Sequence, residues 1–192
     1  MSNQIKNILL VGVGGQGILL ASEILSEAAM LAGFDVKKSE IHGMSQRGGS
    51  VVSHVRYGTE VFSPIVPEGE GDVLFGFELM ETVRSLPLLK PGGTVVANDL
   101  QISPPSVLMG QETYPAALPE RIKERFADCL LVDCQKIATD AGNVRAANTV
   151  LLGAVSKRLD IAEEFWLKAL EKMVPVKALE VNKRAFQMGR EL

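Results

Sequence analysis

Short runs of consecutive apolar residues alternate along the chain with segments in which apolar residues recur every three or four positions. Ile8 to Val11 is the first run, and a strand that is apolar at every position is typical of a parallel sheet covered on both faces. From Ile18 to Leu31 the apolar positions follow helical spacing, and Gly33 then favours a helix end. The same patterns predict strands at 73–77, 94–98 and 130–132 and helices at about 79–89 and 120–126. The alternation predicts an α/β fold with a single Rossmann-like, mostly parallel sheet flanked by helices.

A β-hairpin is predicted to interrupt this rhythm. Asp35 to Ile41 has the pattern of a second strand and Ser50 to Tyr57 that of a third, in which Val51 and Val55 face one side. Gly58 can supply the positive φ of a tight turn, and the next segment, 60–66, again resembles a strand. We therefore expect a hairpin at about 50–66.

The remainder of the chain divides into an irregular segment and a helical end. Residues 101–119 are rich in Pro, Ser and Gly, so we expect irregular structure there, with one short strand possible at 107–109. Asn143 can cap a helix that reaches Leu159, and helices follow at 162–173 and after Pro175. The C-terminal third is thus predicted to be helical.

Composition narrows the classes of function. The 192 residues are 46% hydrophobic with no long apolar run, which predicts one domain, 1–192, and no membrane span. The formal net charge of −3 argues against a nucleic-acid-binding or membrane-binding surface, because both need clustered positive charge. The first residues lack the pattern of a signal peptide, so a cytoplasmic location is expected.

Two cysteines are too few for an iron–sulfur cluster or a cysteine-based metal site. Cys129 and Cys134 have no third cysteine and no nearby histidine to complete a ligand set. They are expected to pack as small apolar residues, at the start of a buried strand and just past its end, while a redox pair is the alternative. We therefore expect no metal or cluster on this chain.

The first glycine-rich segment has the spacing of a dinucleotide-binding loop. Gly12, Gly14 and Gly17 match G-x-G-x-x-G between a strand and a helix, where a phosphate can approach the backbone N–H groups of the helix start. Glu40 is a candidate for the acidic residue that binds a ribose, but Lys37 and Lys38 leave that assignment open. The alternative is that the glycines allow close packing of the first helix or of a neighbouring chain.

A second glycine-rich segment, Gly43 to Ser50, carries the sequence Gly-Met-Ser-Gln-Arg-Gly-Gly-Ser. Arg47, within this glycine-rich segment and directly before Gly48, could bind a carboxylate or phosphate through its planar guanidinium. His42, His54 and Arg56 are near it in sequence, but no Ser-His-Asp order or metal spacing identifies a catalytic set. The segment predicts a contact surface and names no catalytic residue.

Together these segments carry a resemblance to a known family. The run 11–17 followed by 43–56 resembles the gamma-type subunit of 2-oxoacid:ferredoxin oxidoreductases, and within that family the small (beta) subunits of the indolepyruvate type. The similarity continues through Gly142-Asn143, Asn148, 152–154 and, near the C-terminus, Asn182, Ala185-Phe186 and Gly189. It thus spans essentially the whole chain.

The resemblance implies a subunit of an enzyme complex. Such a complex decarboxylates a 2-oxoacid on thiamine diphosphate with Mg²⁺, passes electrons through iron–sulfur clusters to ferredoxin, and transfers the acyl group to coenzyme A. It implies that the cofactors bind to larger partner subunits and that this chain alone is inactive. The expected cofactor-binding or subunit-contact residues are Gly12, Gly14, Gly15, Gln16, Gly17, Gly43, Met44, Ser45, Gln46, Arg47, Gly48 and Gly49.

Two other functional classes stay open on the sequence. The first is an independent nucleotide-binding protein or NAD(P)-dependent reductase that uses Gly12, Gly14 and Gly17. The second is a scaffold or regulatory module without chemistry of its own. Tight binding of NAD(P)H by the purified chain would favour the first, and a co-purifying thiamine-binding partner would favour the complex subunit over the second.

Overall fold

The computed structural model describes residues 5–43 and 49–192. Within these ranges the strands are β1 (Lys6–Val13), β2 (Asp35–His42), β3 (Ser50–Gly58), β4 (Gly71–Gly76), β5 (Leu89–Asn98) and β6 (Cys129–Val132). The α-helices are α1 (Ile18–Leu31), α2 (Leu79–Ser85), α3 (Pro105–Leu108), α4 (Leu118–Arg125), α5 (Cys134–Asp140), α6 (Ala147–Ser156), α7 (Glu163–Met173) and α8 (Val176–Arg190). Single 3-10 turns precede β5 and α6, at Leu86–Leu88 and Val144–Ala146.

The strands form one sheet in the order β2-β3-β1-β4-β5-β6. The β1, β4, β5 and β6 strands are parallel to one another, whereas β3 is antiparallel to both β1 and β2. The predicted mostly parallel α/β fold is confirmed. The second glycine-rich segment connects β2 to β3, and the pairing of Val13 with Ser50 brings its base beside the carboxyl end of β1.

Both faces of the sheet are covered, as the continuous apolar run in β1 predicts. Ile8 and Leu10 lie in a large core that packs against α1, α6, α7 and α8. Leu9 and Val11 point to the opposite face, into a smaller core with α2 and α4. Alternate side chains of one strand therefore bury into two cores, so a change of register in β1 would disrupt both.

The predicted hairpin at about 50–66 is wrong. The β3 strand already pairs with β1 on one edge and with β2 on the other, so no edge remains for a further strand. The segment that follows is held by side chains, and Val66 packs in the core with Leu9 and Val11. Arg56 Nη1 donates to the carbonyl oxygens of Ser63 and Ile65 at 2.9 and 3.2 Å, and the Val66 N–H donates to His54 Nδ1 at 3.2 Å.

Two local predictions also need correction. Residues 107–109 lie in and just after the short helix α3, in which Pro105 is at a first-turn position that needs no N–H donor. The predicted helix 79–89 ends at Ser85, and Leu89 already begins β5. The helical C-terminal third is confirmed, with Asn143 capping the 3-10 turn before α6 through its bond from Arg145 N–H.

Candidate functional site

The two glycine-rich segments meet at the carboxyl edge of β1. The Gly14 N–H donates to the Gly49 carbonyl oxygen at 2.9 Å, and the Gly43 N–H donates to the Ser50 carbonyl oxygen at 3.1 Å. The first bond joins the β1–α1 loop to the base of the β2–β3 connection, and the second closes that connection at its base. The chain thus builds one surface from two segments that are well separated in sequence.

Gln16 fixes the β1–α1 loop from inside. Its Oε1 accepts from the Val13 N–H at 2.7 Å, and its Nε2 donates to the Phe77 carbonyl oxygen at 2.8 Å, just past the end of β4. Gly12 makes room for this side chain, since a Cβ at Gly12 would lie 2.7 Å from Gln16 Oε1 and 2.7 Å from Phe77 Cβ. The glycine at this position therefore serves the packing of the loop.

Gly17 begins α1 and contacts the C-terminal helices. Its φ of 79° lies in the left-handed region, and a Cβ there would approach Asn148 Nδ2 to 2.7 Å. Two constraints, backbone conformation and the nearby Asn148 amide, thus favour glycine at this position.

Two buried glutamates near the start of α2 support the same edge. Glu81, 4% exposed, accepts from Ser50 Oγ at 2.6 Å and from Arg84 Nη1 at 2.7 Å. Its partner Ser50 is the first residue of β3, so this bond ties the base of the β2–β3 connection to α2. The buried carboxylate is stabilised here by one charged donor, Arg84, and one neutral donor, the Ser50 hydroxyl.

Glu78, fully buried, organises the loop after β5. Its carboxylate accepts from the Glu81 N–H at 2.9 Å, capping α2, and from the Ile102 N–H at 3.2 Å. The Tyr114 hydroxyl also donates to Glu78 Oε1. Burial, and then the bond to this carboxylate, raise the pKa of Tyr114, so the hydroxyl stays a donor. Residues 102–114 are thereby held against the site.

A cavity of about 430 Å³ opens between these loops and the C-terminal helices. Asn98 at the end of β5 lies on its wall, where Nδ2 donates to the Phe77 carbonyl oxygen and Oδ1 accepts from the Cys134 N–H. The polar lining is mainly amide, with one cationic side chain, and the lining residues are Gly15, Gln16, Gly17, Phe77, Asn98, Leu100, Ile102, Gln135, Val144, Arg145, Ala147, Asn148 and Leu151. Such a lining can donate and accept hydrogen bonds but supplies no base within the described residues.

The structure brings together part of the predicted contact set. The glycines and glutamine of 12–17 lie beside Gly43 and Gly49. Residues 44–48, with Arg47 among them, and the side chain of His42 lie outside the described residues. His54 and Arg56 do not join the surface, because His54 is 5% exposed and bonds to Val66 while Arg56 Nε donates to Asn7 Oδ1 at 2.7 Å.

The geometry differs from a dinucleotide site in two ways. The Gly14 N–H, which would face the phosphate in a dinucleotide site, donates instead to the Gly49 carbonyl oxygen. The antiparallel β3 also separates β2 from β1, so Glu40 lies two strand spacings, roughly 10 Å, from the β1 strand that leads into the glycine loop. Glu40 instead accepts from Ser22 Oγ at 3.1 Å and pairs with Lys38 at 3.0 Å.

The described residues do not supply a metal or cluster site. No group of three or more His, Cys, Asp or Glu side chains in residues 5–43 and 49–192 could hold a metal ion. Cys129 is half-buried and Cys134 fully buried, and both are free thiols. Burial, reinforced by the charge of Asp133, raises the pKa of the Cys134 thiol, which therefore stays protonated and unreactive.

Sequence reasoning missed the side chains that hold the surface together. Glu78 and Glu81 had the pattern of ordinary charged residues at a helix start, and Asn98 that of a strand end. One signal was available, since a glutamate directly before a helix can accept from its first N–H groups. Their burial, and the bonds to Ser50 and Tyr114, depend on contacts between distant segments.

Within the described ranges, no helix has both the length and the apolar character needed to cross a membrane.

Comparison with known proteins gives a consistent result. The family described as pyruvate ferredoxin/flavodoxin oxidoreductase matches residues 7–192. Indolepyruvate oxidoreductase subunit IorB of Thermococcus kodakarensis is 43% identical over 188 residues, covering 95% of this chain and 93% of its own, and IorB of Pyrococcus horikoshii gives the same values. The gamma subunit of a keto/oxoacid ferredoxin oxidoreductase from Geobacter sulfurreducens superposes with a TM-score of 0.72 at 28% identity, covering 97% of this chain and 96% of its own.

Proposed function

The chain belongs to the pyruvate ferredoxin/flavodoxin oxidoreductase family, and from that premise we propose that it is the small, gamma-type subunit of a 2-oxoacid:ferredoxin oxidoreductase complex. The observation that carries the proposal is the 43% identity to IorB subunits over nearly the full length of both chains. That similarity favours indolepyruvate or another aryl pyruvate as the substrate of the complex.

The reaction of such a complex balances without a further reactant. A 2-oxoacid, coenzyme A and two oxidised ferredoxins give an acyl-coenzyme A, carbon dioxide, two reduced ferredoxins and a proton. The bond between the carboxylate and the oxo carbon breaks, a thioester bond forms, and two electrons leave for ferredoxin. Thiamine diphosphate, Mg²⁺ and the iron–sulfur clusters supply the electron sink and the electron path when bound.

The described residues of this chain do not fit those groups, so no chemical step is assigned to them. No three-member ligand set occurs in 5–43 and 49–192, and our proposal assigns Mg²⁺ and the clusters to larger partner subunits. The free thiols of Cys129 and Cys134 suit a reducing, cytoplasmic compartment. We take residues 1–192 as one domain of that assembly.

The role of this chain within the complex is contact and orientation. Gly12 to Gly17 lie beside Gly43 and Gly49 at one edge of the sheet, joined by the bond between Gly14 and Gly49. A rigid scaffold that presents loops is a common basis for a binding surface. We assign this edge to the contact with the cofactor-bearing subunit, with Arg47 binding an anionic group there.

Co-purification tests the proposal. The tagged chain, expressed in its native cells, should be recovered with a larger subunit that contains thiamine diphosphate and iron–sulfur clusters, measured by mass spectrometry and by iron and thiamine content. A tagged chain with Gly14→Pro is the matched variant, because proline removes the N–H that bonds to Gly49. Recovery of the wild-type chain alone, together with tight NADPH or NADH binding, would contradict the proposal and favour a nucleotide-binding protein.

A further inference from the structure

A second concave site lies beside the start of α8. Its volume is about 380 Å³, and it is bounded by α1, the 3-10 turn at Val144–Ala146, the start of α6 and the first turns of α8. Arg145 and Asn148 border both this site and the 430 Å³ cavity at the glycine loops. The second site, here called the α8 pocket, is therefore continuous with the surface assigned to subunit contact.

The lining of the α8 pocket is cationic. Arg145 and Lys177 line it, and none of its lining residues is an aspartate or glutamate. Neither side chain forms an ion pair within the described part of the chain. Arg184, two turns beyond Lys177 on α8, donates to the Ala141 carbonyl oxygen at 3.4 Å and likewise has no carboxylate partner among the described residues.

Acidic residues close in sequence form no ion pair with these cations among the described residues. Glu180, one turn beyond Lys177, acts on Lys183 and contributes to raising the pKa of that ammonium group, after the larger effect of its hydrogen bond to Glu171. Asp140 is occupied by Lys136 at 2.9 Å. A chain whose formal net charge is −3 thus keeps a local positive site, which attracts negative charge from outside.

Exposed apolar residues are the sequence neighbours of both lining cations. Val144 precedes Arg145 and is 51% exposed, and Val176 precedes Lys177 and is 88% exposed. Within the pocket the apolar lining comes from Leu20, Ala146, Val174, Pro175, Ala178 and Val181. Apolar groups surrounded by unpaired charges are typical of a protein interface that is covered in the assembled state.

We propose that the α8 pocket is a docking surface for an acidic segment of the larger partner subunit, with its carboxylates on Arg145 and Lys177 and its apolar side chains on Val144 and Val176. This inference rests on the proposed function and adds a specific contact to it. Charge complementarity selects the occupant, because two unpaired cations and no lining carboxylate favour an anionic group.

The apolar rim favours a peptide over a free anion. A phosphate would use the cations alone and leave Val144 and Val176 in water, whereas an acidic segment with apolar neighbours would cover both kinds of group. An anion-binding outcome is therefore the competing result of the test.

The experiment measures assembly of the full chain with the purified larger subunit. Arg145→Glu combined with Lys177→Glu should raise the dissociation constant about tenfold or more and make the affinity less dependent on salt concentration. The matched control is Arg121→Glu with Lys123→Glu, the same charge change on α4 across the sheet, where affinity should stay within about twofold of wild type. Circular dichroism and the melting temperature show whether each variant folds. If the charge-reversal variant does not fold, the milder double variant Arg145→Gln with Lys177→Gln is measured in its place.

Photocrosslinking identifies what covers the site. A photoreactive residue at Val176, which is 88% exposed, should crosslink to a segment of the partner that contains Asp or Glu. Equal affinity of the α8-pocket variant and wild type would overturn the inference while leaving the proposed function intact. Stabilisation of wild type by inorganic phosphate at constant ionic strength, without any change in partner affinity in the variant, would overturn it in favour of a free anion. Failure of the wild-type chain to bind the larger subunit would overturn both.

Discussion

Ser50 Oγ donates to Glu81 Oε2 at 2.6 Å, and this bond ties the base of the β2–β3 connection to helix α2. We expect Glu81→Ala to lower the free energy of unfolding by about 1–3 kcal/mol, because Ser50 and Arg84 both lose their acceptor. Glu81→Gln, which keeps an acceptor for Ser50, should cost less. Urea unfolding measures both, and a double-mutant cycle with Ser50→Ala should give a coupling energy of about 1 kcal/mol. Additive effects would show that the bond is not formed.

Arg47 provides a functional prediction at the contact surface. Arg47→Ala should weaken assembly or acyl transfer in the complex and change the stability of the isolated chain by no more than about 0.5 kcal/mol, as for most surface substitutions. Arg47→Lys is the control, since it keeps the charge and loses the planar fork of donors. Unchanged assembly and unchanged turnover in Arg47→Ala would remove this residue from the site.

Two glycines allow α6 and α8 to cross at very short distance. A Cβ at Gly189 would lie 2.0 Å from the Val150 carbonyl oxygen, and one at Gly153 would lie 2.1 Å from the Phe186 carbonyl oxygen. Alanine normally stabilises a helix by up to about 1 kcal/mol relative to glycine, but here overpacking should reverse the sign and cost about 1–3 kcal/mol or more.

Thermal and urea unfolding of Gly189→Ala measure this reversal. Gln187→Ala, on an exposed position of α8, is the control and should stay within about 0.5 kcal/mol of wild type. A stabilised Gly189→Ala variant would mean that the two helices are further apart than described.

His54 should make stability depend on pH. Burial lowers the pKa of His54 below its ordinary value of 6.5, and its Nδ1 already accepts from the Val66 N–H. The unfolded chain therefore binds a proton near pH 6.5 while the folded chain does not. Stability should fall as the pH drops below about 6.5, by at most about 1.4 kcal/mol per pH unit, and level off above it.

His54→Asn isolates that contribution. The asparagine Oδ1 can replace Nδ1 as acceptor and does not titrate in this range. The difference in unfolding free energy between wild type and variant, measured from pH 5 to 8, should therefore narrow or change sign as the pH falls. A difference independent of pH would show that His54 has the same pKa in the folded and unfolded chain.

The sequence predicts those parts of the fold that local pattern controls. The continuous apolar run in β1 and the helical spacing from Ile18 to Leu31 placed both elements, because each buries a face defined by nearby residues. The segment 60–66 resembled a strand but found no free sheet edge, since β3 has partners on both sides. Whether such a segment becomes a strand depends on the pairing between strands that are distant in sequence, and the local sequence pattern carries no information on that pairing.

The candidate site divides in the same way. Gly12, Gly14 and Gly17 were found by spacing, and the structure places Gly14 and Gly17 between β1 and α1 and Gly12 within β1, next to its last residue. The alternative hypothesis, that these glycines form a dinucleotide site, is disfavoured because β3 lies between β1 and β2 and the Gly14 N–H donates to Gly49. Glu78, Glu81 and Arg145 were missed, because burial of a glutamate or isolation of an arginine from carboxylates depends on neighbours brought in by folding.

The most direct test of the proposed function is 2-oxoacid oxidation measured by reduction of a viologen dye in the presence of coenzyme A. The isolated chain should show no activity, and the reconstituted complex should oxidise aryl pyruvates such as indolepyruvate faster than pyruvate. Activity of the isolated chain, or a complex that is equally active when this chain is omitted, would contradict the account.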